Sequence, residues 1–465
     1  MAKTEQIPAR ASAQPSNQRA VLKTAVPGPK SRELRAREDA HLAPGLQGFA
    51  LMAGIVVEEA RGSAVTDVDG NTFLDIIGGI GVNGLGHSHP RFVRAVKEQV
   101  ERASVGSFTS APRVELLDRL AKNRPSEKVH RTQLYSSGAE AVESALRLAK
   151  NATGRTEFVS FWGGFHGKTM GALSLMGSDF KDTFGPFVPG SHSAPYPHPY
   201  RLPTGMTADT YAIACVEELR ARLKRDGSAS KVAAIIVEPM QGTAGNVIPS
   251  DLFLPAVRQL ATEIGALLIV DEMITGFGRT GKYWGMHHAG VEADIVTLGK
   301  QFGGGFPISA LMSTDAITAA KPWSNPSGSS SSYGGNPLGA AAALESLKII
   351  EEEGLVENSR VVGAYMLEKL RTLVEKYPFV GEARGRGLFL ALELVKDKKT
   401  KEPMTKLATN RVFDECLKRG LLTMSYAASF RIQPSMTIDA STVDHVVAIL
   451  DEAFAAIEKE KVYQA

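Results

Sequence analysis

From about residue 130 onward, short unbroken apolar runs alternate with stretches whose apolar residues recur at helical spacing. The runs are TQLYSS (132–137), EFVSFWGG (157–164), VAAIIVEPM (232–240), ALLIVDEM (266–273), DIVTLGK (294–300) and ISALMST (308–314). Between them lie patterns such as AEAVESALRLAKNA (139–152) and LPAVRQLATEIG (254–265). A strand covered on one face alternates apolar and polar positions, whereas a strand covered on both faces is apolar throughout. Continuous runs separated by helices therefore predict an α/β fold with a mainly parallel central sheet.

The pattern changes outside that region. LEKLRTLVEKY (367–377), FLALELV (389–395) and VDHVVAILDEAFAAIEKE (443–460) read as a smaller α+β unit, and AVTDVDGNTFLDI (64–76) predicts a hairpin turning at Asp69-Gly70. The expected organisation is a flexible tail over 1–30, a segment over 31–80 joining the small domain, a large domain over 81–335 and a C-terminal small domain over 336–465. SNPSGSSSS (324–332) is too short to link independent domains and reads as a loop.

Composition narrows the function classes. A net charge of +3 over 465 residues argues against a nucleic-acid or anionic-membrane partner. Two cysteines, Cys215 and Cys416, do not make a disulfide framework and point to a cytoplasmic setting. No apolar run approaches the roughly 18 residues a membrane-spanning helix needs. The first 30 or so residues lack the apolar core of a secretory signal, and a floppy tail is preferred to a transit peptide.

In open parallel sheets, ligands bind beyond the C-terminal ends of the strands. Those ends carry Ser136-Ser137-Gly138, Gly163-Gly164-Phe165-His166, Glu238-Pro239, Asp271-Glu272 and Lys300. Lys300 closes the apolar run 294–299 and is followed by three glycines at 303–305, which let a ligand approach the backbone. A lysine there is either snorkelling or salt-bridged, or an amine drawn out of water and available for Schiff-base formation. Ser137 before the 139–152 pattern reads as an N-cap, with Glu140 completing a capping box. The amides of Gly138 and Ala139 at the same helix start equally make a phosphate cradle. Asp271, deep in the sheet, needs a protonated ring nitrogen or an arginine as partner.

Two motifs are discounted. GFGRTG (276–281) matches a dinucleotide-binding glycine pattern, but no apolar-periodic helix follows it. The pairs His87/His89 and His287/His288 lack a third ligand at metal spacing, so no metal is expected.

Taken together, these pieces closely resemble the class III, or omega-type, pyridoxal-phosphate-dependent aminotransferases, from PGPKSREL (27–34) to about residue 460. The block LLIVDEMITGFGRTGKYWGMHHAGVEADIVTLGKQFGGGFPISA (267–310) carries the likeness most strongly, with SSGAEAVESA, GGFHGKTMGALS (163–174), IIVEPMQG (235–242) and YGGNPLGAAAA (333–343). The resemblance implies the aspartate-aminotransferase-type fold, fold type I. It implies that Lys300 holds the cofactor as a Schiff base and shuttles a proton, while Asp271 keeps the pyridine nitrogen protonated. It also implies that Phe165 stacks on the ring and that Ser137, Gly138 and Ala139 surround the phosphate. His166, Glu238, Met273 and Ile274 would complete the cofactor's surroundings, and Ser332 would reach a phosphate across a dimer interface. Arg431 matches an arginine that clamps a substrate carboxylate.

The departures from the family concern substrate. Members acting on 4-aminobutyrate or ornithine carry glutamate where Thr243 stands and glutamine where Ile274 stands, and 4-aminobutyrate enzymes carry arginine where Lys168 stands. Ile80, Phe108, Lys168, Thr243 and the 426–430 stretch are the expected pocket liners. The expected activity is ping-pong transfer of an amino group from an amine or omega-amino acid to a 2-oxo acid such as pyruvate or 2-oxoglutarate. The alternative is an epimerase or decarboxylating aminotransferase with the same cofactor. The expected assembly is a homodimer with a shared active site, or a tetramer.

Overall fold

The computed structural model of the protein describes residues 13–464. The chain divides into two compact units, one made of Met1–Pro90 with Glu353–Ala465 and the other of Arg91–Glu352.

The unit Arg91–Glu352 is built on a seven-stranded sheet. Its strands lie side by side in the order Arg131–Tyr135, Ser309–Ser313, Ile295–Leu298, Leu267–Asp271, Val232–Val237, Glu157–Phe161 and Ser191–Ala194. Ser309–Ser313 runs antiparallel to both of its neighbours, and the remaining pairings are parallel. Six of these strands coincide with the six apolar runs of the sequence. The seventh, Ser191–Ala194, has the sequence SHSA and a single neighbour, so it carries no apolar run to reveal it.

Val232–Val237 is buried along its whole length, as a strand covered on both faces must be. The helix Gly138–Thr153 covers one face, setting Ala141, Val142, Ala145 and Leu148 against Ile236, Ile269, Ile295 and Leu311 in one core cluster. Each fully buried valine, leucine or isoleucine of this cluster contributes about 1.5–3 kcal/mol. The helix ends where Gly154 takes the left-handed conformation, φ 69°, and Gly154 N–H caps the Lys150 carbonyl.

Six of the strands run in one direction, so their C-terminal ends share one edge of the sheet. That edge receives the residues that follow Tyr135, Phe161, Val237, Asp271 and Leu298.

The other unit contains a sheet of four strands and one of three. Ala64–Asp67 and Thr72–Asp75 form the hairpin expected at Asp69-Gly70, with Gly70 at φ 83°. The three-stranded sheet joins Val380–Arg386, Phe389–Leu394 and Ser429–Ile432, and the helices Leu355–Lys376 and Ala440–Glu460 belong to the same unit.

Two expected boundaries differ from this division. The helix Pro337–Glu352 belongs with the sheet of seven strands, because Ser346 Oγ bonds to the Gln301 carbonyl (2.8 Å) and Glu351 pairs with Arg119 (2.6 Å). Residues 81–90 belong to the other unit, where Gly84 O accepts from Met436 N–H and His87 O from Gly62 N–H. The flexible tail expected over 1–30 is only partly within the described residues. Its residues 1–12 lie outside the described ones, whereas the part that follows is tied down by hydrogen bonds. Gln14 Nε2 donates to the carbonyls of Leu85 and His87, Asn17 N–H to Asp439, and Val21 exchanges two backbone bonds with Thr72.

Among the described residues, no helix is long and apolar enough to cross a membrane and no group of side chains could hold a metal ion. Cys215 and Cys416 are free and buried.

Candidate active site

Asp271 is the last residue of the strand Leu267–Asp271, and Lys300 follows the neighbouring parallel strand Ile295–Leu298 by two residues. Asp271 stands opposite Thr297 in the register, so the acid and the lysine leave the same edge of the sheet from adjacent strands.

A buried carboxylate without a partner is costly. The partner this chain provides for Asp271 is the imidazole of His166, beside the pyridine nitrogen or arginine that sequence reasoning anticipated. His166 Nδ1–H donates to Asp271 Oδ2 at 2.7 Å, and both side chains are buried. The other oxygen, Oδ1, accepts the Met273 N–H at 3.1 Å. Burial pulls the His166 pKa down, but the hydrogen bond and charge of Asp271 outweigh it and raise the pKa above its ordinary value.

Glu238 directly follows the next strand, Val232–Val237, and is also buried. It accepts Phe165 N–H and Gly242 N–H, each at 2.9 Å, which fixes the turn carrying Phe165 and the turn before Thr243. Burial raises its pKa, the positive His166 opposes that shift and the Asp271 charge adds to it.

The helix start is built as the sequence indicated, with one change. Ser137 Oγ accepts Glu140 N–H, but Glu140 Oε2 reaches back to Ser136 N–H (2.9 Å) rather than to that of Ser137. Helix geometry leaves the amides of Gly138 and Ala139 without intrahelical acceptors. Ser309 Oγ donates to the Ser137 carbonyl at 2.6 Å and anchors this turn to the neighbouring strand.

Met273 links the two sides of the edge. A Cβ on Gly138 would lie 3.0 Å from its sulfur, and one on Gly299 would lie 2.6 Å away. The thioether therefore occupies the space both glycines leave open. Ile274 is buried, with its side chain against Gly242.

Lys300 itself has φ 51°. A non-glycine residue in the left-handed region is uncommon and tends to mark a functional constraint.

The remaining candidates are placed as follows. Lys168 is exposed, with Nζ 4.8 Å from the centre of the Phe180 ring. Thr243 and Ser332 are exposed, and no hydrogen bond among the described residues joins Ser332 to the other candidates. Phe108 is 90% exposed. Ile80 and Arg431 belong to the unit that holds both termini. Ile80 is a β-branched residue at φ 63°, a strained position, and Arg431 stands opposite Ala391 in the three-stranded sheet.

Sequence reasoning assigned no role to two supporting residues, Glu143 and Glu272. Glu143, on the helix Gly138–Thr153, accepts Thr169 Oγ1 (2.6 Å), Gly171 N–H (2.8 Å) and Ala172 N–H (3.0 Å), and so anchors the turn after His166. Glu272 accepts Thr275 Oγ1 and the amides of Gly285 (2.9 Å) and Met286 (2.7 Å), which folds the glycine-rich 276–281 segment into a closed loop. The available signal for Glu272 was a second acid at the end of an apolar run.

The family description Aminotransferase class-III matches residues 49–454. The chain is 34% identical to a leucine/methionine racemase of Thermococcus litoralis, over 88% of this chain and 93% of the relative. It is 36% identical to the 5-aminovalerate aminotransferase DavT of Pseudomonas putida, over 88% and 96%. Among solved structures, it resembles an amine transaminase from an uncultivated Pseudomonas species in its pyridoxal-phosphate-bound form. That likeness has a TM-score of 0.84 at 31% identity, covering 89% of this chain and 98% of the other.

Proposed function

The chain belongs to the class-III aminotransferase family of pyridoxal-phosphate enzymes, and we propose that it moves an amino group from an amine or omega-amino acid to a 2-oxo acid. The observation that carries this reading is the pairing of the strand that ends in Asp271 with the strand that leads into Lys300.

The residues present fit the cofactor. A helix start with two amides lacking acceptors and a serine N-cap suits a phosphate. A buried carboxylate braced by His166 suits a protonated pyridine nitrogen. Met273 fills the gap beside Gly138 and Gly299, so side chains close off the floor of the site. Bound there, pyridoxal phosphate supplies an electrophilic carbonyl carbon and a ring that draws negative charge away from the substrate.

The protein's own residues then have distinct tasks. The Lys300 amine holds the cofactor and moves a proton at the carbon that bears the substrate nitrogen. Asp271 keeps the ring nitrogen protonated, and His166 holds the Asp271 carboxylate in place. Phe165, whose backbone is fixed through Glu238, would cover one ring face. Lys168 offers a point charge to a carboxylate at the far end of a 4-aminobutyrate-like donor. The acceptor is a 2-oxo acid such as pyruvate or 2-oxoglutarate. Ser332 serves the phosphate of a second subunit in a homodimer, and the two unbridged cysteines suit a cytoplasmic enzyme.

A second reading, amino-acid epimerisation or decarboxylating transamination, draws on the likeness to the Thermococcus litoralis racemase and uses the same residues. A panel of amines, omega-amino acids and single-enantiomer amino acids, each offered with and without pyruvate or 2-oxoglutarate, separates the two. Amino-group transfer that requires the 2-oxo acid supports the proposal. Racemisation without a 2-oxo acid, or release of carbon dioxide, contradicts it.

A further inference from the structure

We propose that Gln301 is a positioning residue for Lys300, a role that rests on the reading of Lys300 given above. Its side chain fixes the strained turn from which the lysine leaves the backbone and ties that turn to the segment following Asp271.

Gln301 is fully buried. Its Nε2 donates to two main-chain carbonyls, those of Ile274 (3.1 Å) and Gly276. Both acceptors lie in the turn that begins at Asp271, a turn itself closed by Gly276 N–H bonding to the Glu272 carbonyl (3.0 Å). The Gln301 carbonyl accepts Ser346 Oγ at 2.8 Å and Gly304 N–H at 3.1 Å. The next residue, Phe302, stacks on Phe277 with ring centres 5.3 Å apart and planes 13° apart. The residue immediately after Lys300 is therefore held on one side by the acid's turn and on the other by the helix Pro337–Glu352.

Two features indicate that this hold serves the lysine rather than packing alone. Lys300 sits at φ 51°, a conformation an L-residue keeps only when its surroundings over-determine it. Gln301 supplies that constraint at the adjoining peptide. The Gln301 amide oxygen, moreover, is buried without a hydrogen-bond partner among the described residues. An apolar side chain of the same length would fill the space without burying that acceptor. What the amide adds is the pair of N–H bonds to residues 274 and 276. Without them the turn can relax toward ordinary right-handed geometry, which redirects the Cα–Cβ bond of Lys300 relative to Asp271.

The test uses the full chain loaded with pyridoxal phosphate and compares wild type, Gln301→Met and Ser346→Ala. Gln301→Met keeps the length of the side chain and removes both donors, and Ser346→Ala removes the hydroxyl that holds the Gln301 carbonyl. The readouts are the pH titration of the lysine-bound cofactor's absorbance band, its visible circular dichroism, and kcat and KM measured separately. Gln301→Met is expected to move the pH midpoint by about half a unit or more. It is expected to lower kcat roughly 10- to 100-fold, with KM changed by less than about threefold. Ser346→Ala is expected to shift the same quantities in the same direction by less. If Gln301→Met does not fold, Ser346→Ala alone decides. A folded variant with the wild-type midpoint, dichroism and kcat overturns the inference. A wild-type protein that takes up no cofactor on Lys300 overturns the functional reading instead.

Discussion

His166 Nδ1 lies 2.7 Å from Asp271 Oδ2, with both side chains buried at the edge of the central sheet. Removing one partner of a buried pair leaves the other uncompensated, at a typical cost of about 3–5 kcal/mol. The His166 pKa is raised in the folded protein, so the contribution of the pair is whole below the ordinary imidazole range and is lost as pH rises through the raised value. Denaturant unfolding of cofactor-free His166→Phe should therefore show a large loss at pH 6 that narrows at alkaline pH. A deficit constant with pH contradicts this account of the pair.

Glu272 gives a second pH signature. Burial pushes its pKa up to about 7 despite three hydrogen-bond donors, one side chain and two amides. An acid whose folded pKa is raised contributes most below its unfolded value of about 4.5 and loses that contribution as pH climbs through about 7. Over that window the difference comes to about 3 kcal/mol. Glu272→Gln should flatten the stability profile between pH 4.5 and 7 relative to wild type, and parallel profiles would show that Glu272 does not titrate there.

Met273 and Gly299 supply a packing test. Gly299 has φ −178°, extended backbone that any residue can adopt, so an added methyl group clashes with the Met273 sulfur at 2.6 Å, the other neighbours lying at an ordinary 3.7 Å. Gly299→Ala should cost about 1–3 kcal/mol in unfolding free energy. In a Met273→Ala background the same change should cost under about 0.5 kcal/mol, read from a double-mutant cycle. Equal costs in the two backgrounds would show that the sulfur is not the obstacle.

Lys168 tests the donor class. Its ammonium lies 4.8 Å from the Phe180 ring centre at an exposed position. Lys168→Met should raise KM about 10-fold for donors with a distal carboxylate, the loss of one charge-assisted contact, and leave simple amines within about twofold. A uniform rise across both donor types contradicts a role in carboxylate recognition.

Much of this site was legible in the sequence because its main side chains sit at the ends of apolar runs, and burial writes such runs plainly. Asp271 ends its strand and Lys300 follows its own by two residues, and both strands fall inside apolar runs of the sequence. The supports were hidden for a physical reason. Gln301 and Glu143 act on backbone groups about 25 or more positions away, and a backbone acceptor or donor leaves no mark on residue type. The segment after residue 12 looked like a free tail because much of what secures it is hydrogen bonding, from Gln14, Asn17 and Val21, which leaves no apolar pattern. The strand Ser191–Ala194 escaped notice because a strand at the sheet edge tolerates polar residues.

The most direct test of the central claim is borohydride reduction of the cofactor-loaded protein, followed by digestion and mass mapping of the pyridoxyl group. The account predicts the label on Lys300 and its disappearance in Lys300→Ala. Label on a different lysine, or undiminished labelling in Lys300→Ala, would contradict it.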